Sequence, residues 1–216
     1  MEIRDHLLVA GPDEPIAHHP SPNQSSLITP RFLLMHYTAG RTLDGAVAWM
    51  SSEESKVSAH LVIGREGEIV QLVAFNRRAW HAGPSRWGHL EGMNLYAIGI
   101  ELVNAGKLHS RRDGAWFDAQ GEVVPDEEVR VARHRHEGGT AGWHRYTEPQ
   151  FEAAVRVGRL LCSTYRLSDI LGHDDVSPNR KTDPGPAFPM AIFREWVFGR
   201  GIGTRAWSGT SAGVSP

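Results

Sequence analysis

A single cysteine, Cys162, cannot close an internal disulfide, so no disulfide framework holds this chain of 216 residues together. That fits a reducing compartment. Long apolar runs are also missing, and nothing approaches the roughly twenty consecutive apolar residues needed to cross a bilayer. Neither charge sign dominates. Lys and Arg number 23 against 25 Asp and Glu, a formal net charge of −2, so there is no broad basic field and nucleic acid is not an expected partner. The first ten residues carry Glu2 and Asp5 and only a very short apolar stretch, unlike a secretory leader. A cytoplasmic location is therefore expected. No internal repeat is visible.

What remains is a chain with 40% hydrophobic residues, long enough for one well-formed core and short for two. The pattern predicts an α/β fold: a single domain with a mixed central β-sheet flanked by helices and the site at the strand ends. Residues 1–26 are expected to form an irregular arm, since 11–29 are rich in Pro, His and Ser without a sustained period. The main domain is expected over 27–198. The Gly- and Ser-rich tail over 199–216 is expected to fray.

Within the domain, 31–36 reads as a buried strand and 44–50 as a helix with Ala46, Val47 and Met50 on one face. Segments 60–64 and 68–73 flank Arg65-Glu66-Gly67 as a hairpin. In the strand over 97–103, Ile98, Ile100 and Leu102 share one face, while Ala97, Gly99 and Glu101 share the other, leaving room around the Glu101 carboxylate. Thr147-Glu148-Pro149-Gln150 has the form of a capping box. It opens a helix whose Phe151, Ala154, Val155, Gly158, Leu161, Cys162 and Tyr165 recur at helical spacing. A strand over 170–173 and a helix over 189–198, with Ile192, Phe193 and Trp196 inward, complete the pattern. The polar insertion at about 107–146, with Gly138-Gly139, reads as a long loop at the cleft rim that limits access.

The segment 171–186 carries the most chemistry. His173 offers an imidazole and Asp183 a carboxylate, both ordinary zinc ligands. Lys181 lies two residues before Asp183, where extended chain would turn both side chains toward one pocket. A hydrolytic zinc needs a third protein ligand, and His36, closing the apolar run 32–36, is the best candidate. His60, inside a strand, reads as structural. His134-Arg135-His136-Glu137 reads as a solvated loop rather than a second metal site.

These residues carry a resemblance. Met35-His36-Tyr37-Thr38-Ala39, Val57-Ser58-Ala59-His60, Arg78-Ala79-Trp80-His81-Ala82-Gly83, Ile98-Gly99-Ile100-Glu101-Leu102 and the stretch from Gly172-His173 to Phe188 resemble, in this order, the zinc-dependent N-acetylmuramoyl-L-alanine amidases. The anhydro-muropeptide branch of that family is the most similar. The resemblance implies one zinc per chain held by His36, His173 and Asp183, with Glu101 as acid and base and Lys181 as the catalytic lysine. Other branches place a tyrosine where this chain has Ala59, which strengthens the choice of Glu101. Trp80, His81 and Asn94 are expected substrate contacts.

The implied reaction is hydrolysis of the amide between the lactyl group of N-acetylmuramic acid, in its 1,6-anhydro or its ordinary form, and L-alanine. Expected partners are peptidoglycan fragments or muropeptides, with no obligate protein partner. The competing readings are a lytic amidase acting on polymeric wall and a peptidoglycan-binding module without catalysis. The presence of all three ligands, Lys181 and Glu101 argues against the last.

Overall fold

A computed structural model describes residues 1–11, 16–110 and 114–199. Its strands begin with β1 (Glu2–Arg4), β2 (Leu7–Val9), β3 (Ile16–His18), β4 (Gln24–Leu27) and β5 (Phe32–Tyr37), followed by helix α1 (Leu43–Ser51). Then come β6 (Leu61–Ile63), β7 (Ile69–Gln71), β8 (Arg77–Ala79), β9 (Arg86–Trp87), β10 (Leu90–Glu91) and β11 (Ala97–Leu102). Five short strands follow: β12 (Lys107–Ser110), β13 (Trp116–Phe117), β14 (Val123–Val124), β15 (Val129–Ala132) and β16 (Ala141–His144). The chain closes with α2 (Glu148–Tyr165), β17 (Asp169–Gly172), the short α3 (His173–Val176) and α4 (Met190–Phe198). Among the described residues, no helix is long and apolar enough to cross a membrane.

The central sheet has the order β17-β5-β11-β6-β7-β3, parallel except for the antiparallel β6–β7 hairpin. Alternation along each strand divides the core. Leu33 and Met35 of β5, with Ile98, Ile100 and Leu102 of β11, pack with Phe151, Ala154 and Leu161 of α2 and Phe193 and Val197 of α4. The opposite face is shared. Ala46 and Met50 of α1 cluster with Val62 and Val70, while Phe32, Leu34, Ala97 and Leu171 form a separate patch. His36 and Glu101 belong to that second face by the period of two.

Thr147 caps α2 as expected, its hydroxyl accepting the Gln150 N–H. Gln150 does not return the bond. Its amide, fully buried, donates to the carbonyls of Ile63 and Val103, tying the helix start to the ends of β6 and β11. In α4 the inward residues are Phe193 and Val197, with Trp196 half-buried; Ile192 is exposed, contrary to expectation.

Two regions differ more. The irregular arm expected over 1–26 instead contains β1 to β3 and most of β4: β1 and β2 pair with each other, β3 adds to the edge of the central sheet, and β4 pairs with β8. Its polar residues have work there, since Ser21 donates to the Met50 carbonyl at 2.5 Å and Asn23 to those of Ser52 and Val57 at 2.7 and 2.9 Å. The insertion at 107–146, expected as a loop, folds into an antiparallel sheet of order β14-β13-β12-β16-β15. Its strands have two to four residues, so their pairing is set by neighbours rather than by a readable hydrophobic period. The tail expected over 199–216 lies, apart from Gly199, outside the described residues.

His60 is structural. Its Nδ1 accepts the Gly99 N–H at 3.0 Å and its Nε2 donates to the Arg77 carbonyl at 2.9 Å. Burial lowers its pKa from 6.5 to about 4. A histidine that stays neutral in the fold and protonates in the unfolded chain stabilises above the unfolded pKa. That stability is lost as pH falls from about 6.5 toward 4, on the order of 3 kcal/mol. His60→Gln supplies both an acceptor and a donor without the proton. In the presence of chelator, urea titrations of H60Q should show a flatter loss of stability than wild type between pH 6.5 and 4; equal slopes would exclude this role.

Candidate metal centre

Parallel pairing builds the site. β5 ends with His36, and β11 places Glu101 directly beside it in register, so both side chains leave the same face. β17 runs parallel to β5 on its other side and delivers His173 at its end, the first residue of α3. The chain then returns through 177–182 and brings Asp183 back. The Tyr37 hydroxyl and Thr182 Oγ1 meet at 2.8 Å, joining the strand that carries His36 to the loop that carries Lys181 and Asp183.

His36, His173 and Asp183 are buried and converge. His36 Nδ1 lies 3.0 Å from His173 Nδ1, and Asp183 Oδ2 lies 2.9 Å from each. These edges approach the roughly 3.3 Å expected between ligands of a tetrahedral zinc with bonds near 2.0 Å.

The remaining ring nitrogens show where the protons are. His173 Nε2 donates to the Ala82 carbonyl at 3.0 Å, so its Nδ1 is a bare lone pair. Arg180 also approaches that nitrogen at 3.3 Å, but its guanidinium already donates to Ala82, Pro84 and Ser177 at 2.6 to 3.0 Å. His36 Nε2 contacts His81 Nδ1 at 3.0 Å, and His81 Nε2 faces the Ala97 carbonyl at 3.3 Å. Burial, with the nearby His36, holds the His81 pKa well below 6.5, so that ring carries one proton. The carbonyl claims it, and His81 Nδ1 accepts from His36.

His36 Nδ1 is then also bare. Burial and the neighbouring His173 lower the His36 pKa to about 4, so it is neutral at pH 7. Burial alone would raise the Asp183 pKa, and a positive partner shared with the two ring nitrogens of His173 and His36, each 2.9 Å from Oδ2, is what keeps the carboxyl well below its usual range. Three lone pairs and one negative charge therefore meet at one point. A proton could bridge only one pair, whereas a divalent cation satisfies all three.

Beside this cluster, Glu101 Oε2 is buried without a hydrogen-bond partner. Burial raises its pKa well above 4.5, the charge of Asp183 adds to this, and Lys181 opposes it. Lys181 is half-buried and its field reaches both Glu101 and His36. The carboxylates that could have neutralised it are engaged elsewhere, Asp174 and Asp175 both pairing with Arg135. Ala59 is buried and brings no hydroxyl to the site.

The expected substrate contacts fare differently. His81 lies behind His36 rather than in front of it. A Cβ on Gly99 would fall 2.6 Å from the imidazole, so the space beside Glu101 is filled by His81. Asn94 is buried beneath the same loop, its side-chain oxygen accepting the N–H groups of His81 and Ala82 at 3.1 and 2.7 Å. Trp80 is half-buried, its indole N–H bonded to Ser25 at 3.3 Å. Sequence reasoning assigned no role to Thr182, Asp174 or the His36–His81 relay.

The profile of the N-acetylmuramoyl-L-alanine amidases matches residues 26–186. The chain belongs to this family. The anhydro-muropeptide amidases are among its relatives within these amidases: the 1,6-anhydro-N-acetylmuramyl-L-alanine amidase AmpD of Escherichia coli K12 is 36% identical over 144 residues, 66% of this chain and 59% of that protein. The amidase AmiD of the same organism is 27% identical over 186 residues, 82% of this chain and 54% of that protein. The chain thus spans little more than half the length of these relatives. Among solved amidases, a selenomethionine derivative of AmpD superposes with a TM-score of 0.63 at 25% identity, covering 91% of this chain and 99% of that one. E. coli AmiD, solved with an anhydro-N-acetylmuramic acid peptide, has a TM-score of 0.60 at 24% identity and shares the fold.

Proposed function

We propose that the chain is a zinc-dependent amidase that hydrolyses the bond between the lactyl group of N-acetylmuramic acid and L-alanine in soluble muropeptides, with the 1,6-anhydro sugar as the preferred form. What supports the reading is the meeting of three metal-seeking lone pairs, without a proton to share, beside a buried carboxylate and the half-buried Lys181 ammonium, which has no ion pair among the described residues. The anhydro form is supported by the name of the 36% identical relative.

Zinc held by His36, His173 and Asp183 would supply Lewis acidity and bring the pKa of water toward neutrality. Glu101 takes the proton of the attacking water and passes it to the departing alanine nitrogen, a base turned acid. Its desolvation suits both halves of that task, because a raised pKa makes the carboxylate a stronger base toward water and holds the proton until the nitrogen departs. Lys181 offers a positive charge to the oxyanion that develops at the lactyl carbonyl. His81 and the Ala82 carbonyl hold the two imidazoles in the tautomers described above.

The direct test is incubation of the zinc-loaded protein with purified anhydro-muropeptide and, separately, with intact sacculi. Mass spectrometry should show free anhydro-N-acetylmuramic acid and a peptide beginning with L-alanine, formed faster than any product from sacculi. Cleavage of sacculi alone would return the lytic reading, and cleavage of neither would leave a binding module. In the same assay Lys181→Met should retain zinc while turnover falls about a hundred- to a thousand-fold, the usual cost of one oxyanion-stabilising group. Unchanged turnover would remove Lys181 from the chemistry.

A further inference from the structure

The antiparallel sheet of the insertion meets the loop of the candidate metal centre at Asp174. This aspartate follows His173 directly, and its backbone N–H donates to the carbonyl of Asp183 at 2.8 Å. It therefore spans the two candidate ligands that lie on one loop. Its side chain is buried and folds back over the end of β17: a Cβ on Gly172 would fall 2.3 Å from Asp174 Oδ1 and 2.8 Å from Pro184.

Both carboxylate oxygens are held from the insertion. His134 Nε2 donates to Oδ2 at 3.0 Å, and Arg135 donates to Oδ1 at 2.6 Å while its other nitrogen reaches Asp175 at 2.8 Å. The His134 tautomer is fixed, because its Nδ1 accepts the His136 N–H at 3.2 Å. Its ring is stacked 5.6 Å from Trp143 of β16. The Tyr146 hydroxyl donates to the carbonyl of Pro184, the residue after Asp183, at 2.8 Å. Burying a carboxylate is costly unless it is fully bonded, and every bond to this one fixes the turn between two ligands.

We infer that Asp174, gripped by His134 and Arg135, is a positioning residue through which the insertion sets the spacing of His173 and Asp183 and hence the affinity of the centre for its metal ion. The inference rests on reading His36, His173 and Asp183 as metal ligands. It makes the insertion a fixed frame for the site rather than a lid over it. The outer partners of metal ligands typically contribute ten- to a hundred-fold in affinity, which is the size expected here.

The experiment is a zinc competition titration against a chromophoric chelator on the full chain, with the visible spectrum of the cobalt-substituted protein as a second readout. Asp174→Asn should weaken zinc binding about ten- to a hundred-fold and alter the cobalt spectrum. Arg135→Gln, at a half-exposed position, should do the same more mildly and serves if D174N does not fold; Arg135→Lys should recover part of the loss. Lys107→Gln breaks a 2.7 Å pair with Glu137 in the same insertion without touching Asp174, and should leave affinity unchanged. Wild-type affinity and spectrum in D174N and R135Q would overturn the inference, as would an equal loss in K107Q. Failure of the wild-type chain to bind zinc at all would instead overturn the metal-site reading beneath it.

Discussion

Alanine at His36, His173 or Asp183 should yield protein that no longer retains zinc through dialysis and no longer releases peptide from anhydro-muropeptide. Each residue contributes one of three atoms packed within 3.0 Å of one another. Removal of one leaves two ligands, too few to hold a catalytic zinc against water. Even outer partners of such ligands are worth ten- to a hundred-fold in affinity, so a lost ligand should cost more than about a hundred-fold. Turnover should fall to that of the chelated wild type. Wild-type activity should disappear with chelator and return with zinc, whereas H60Q, altered at a neighbouring buried histidine that holds only backbone groups, should keep about one zinc per chain. Atomic absorption after dialysis and chromatography of the released peptide measure both quantities. A metal-free protein that still cuts the amide would sink the assignment.

How far the sequence announced this site depended on how local each signal was. His36 was legible because it closes an apolar strand, and His173, Lys181 and Asp183 because they share one short stretch. Glu101 was legible from alternation in β11, and the structure adds that parallel register sets it beside His36. The helix α2 declared itself by its cap and spacing, yet Gln150 was misread, since carbonyls from β6 and β11 outbid its own helix end. His81 was misread for a related reason: its ring lies where Gly99, 18 residues later, has no side chain, a complementarity visible only once the strands are paired. The insertion was opaque because strands of two to four residues are too short to show a period of their own. Polarity read as solvent exposure was, at His134, a buried contact with Asp174 on the loop between His173 and Asp183.

Glu101→Gln should separate metal binding from chemistry. The amide keeps the size of the carboxylate, and Glu101 is not one of the three converging ligands, so zinc content should match wild type. Turnover should fall about a hundred- to ten-thousand-fold, the usual contribution of a positioned general acid and base. The pH profile carries the second half of the argument. In the proposed mechanism Glu101 acts first as a base and must be ionised in the free enzyme, so kcat/KM should fall as pH drops through its pKa. Burial raises that pKa, with Asp183 adding to the rise and Lys181 opposing it. The acid limb should therefore lie above the range of an exposed carboxylate. In Lys181→Met, which removes the opposing charge, residual activity should show the limb displaced further toward high pH, while in E101Q the limb should vanish from whatever activity persists. Near wild-type turnover in zinc-replete E101Q would transfer the proton shuttle to another group, and an acid limb unmoved by Lys181→Met would mean that a group other than Glu101 sets it.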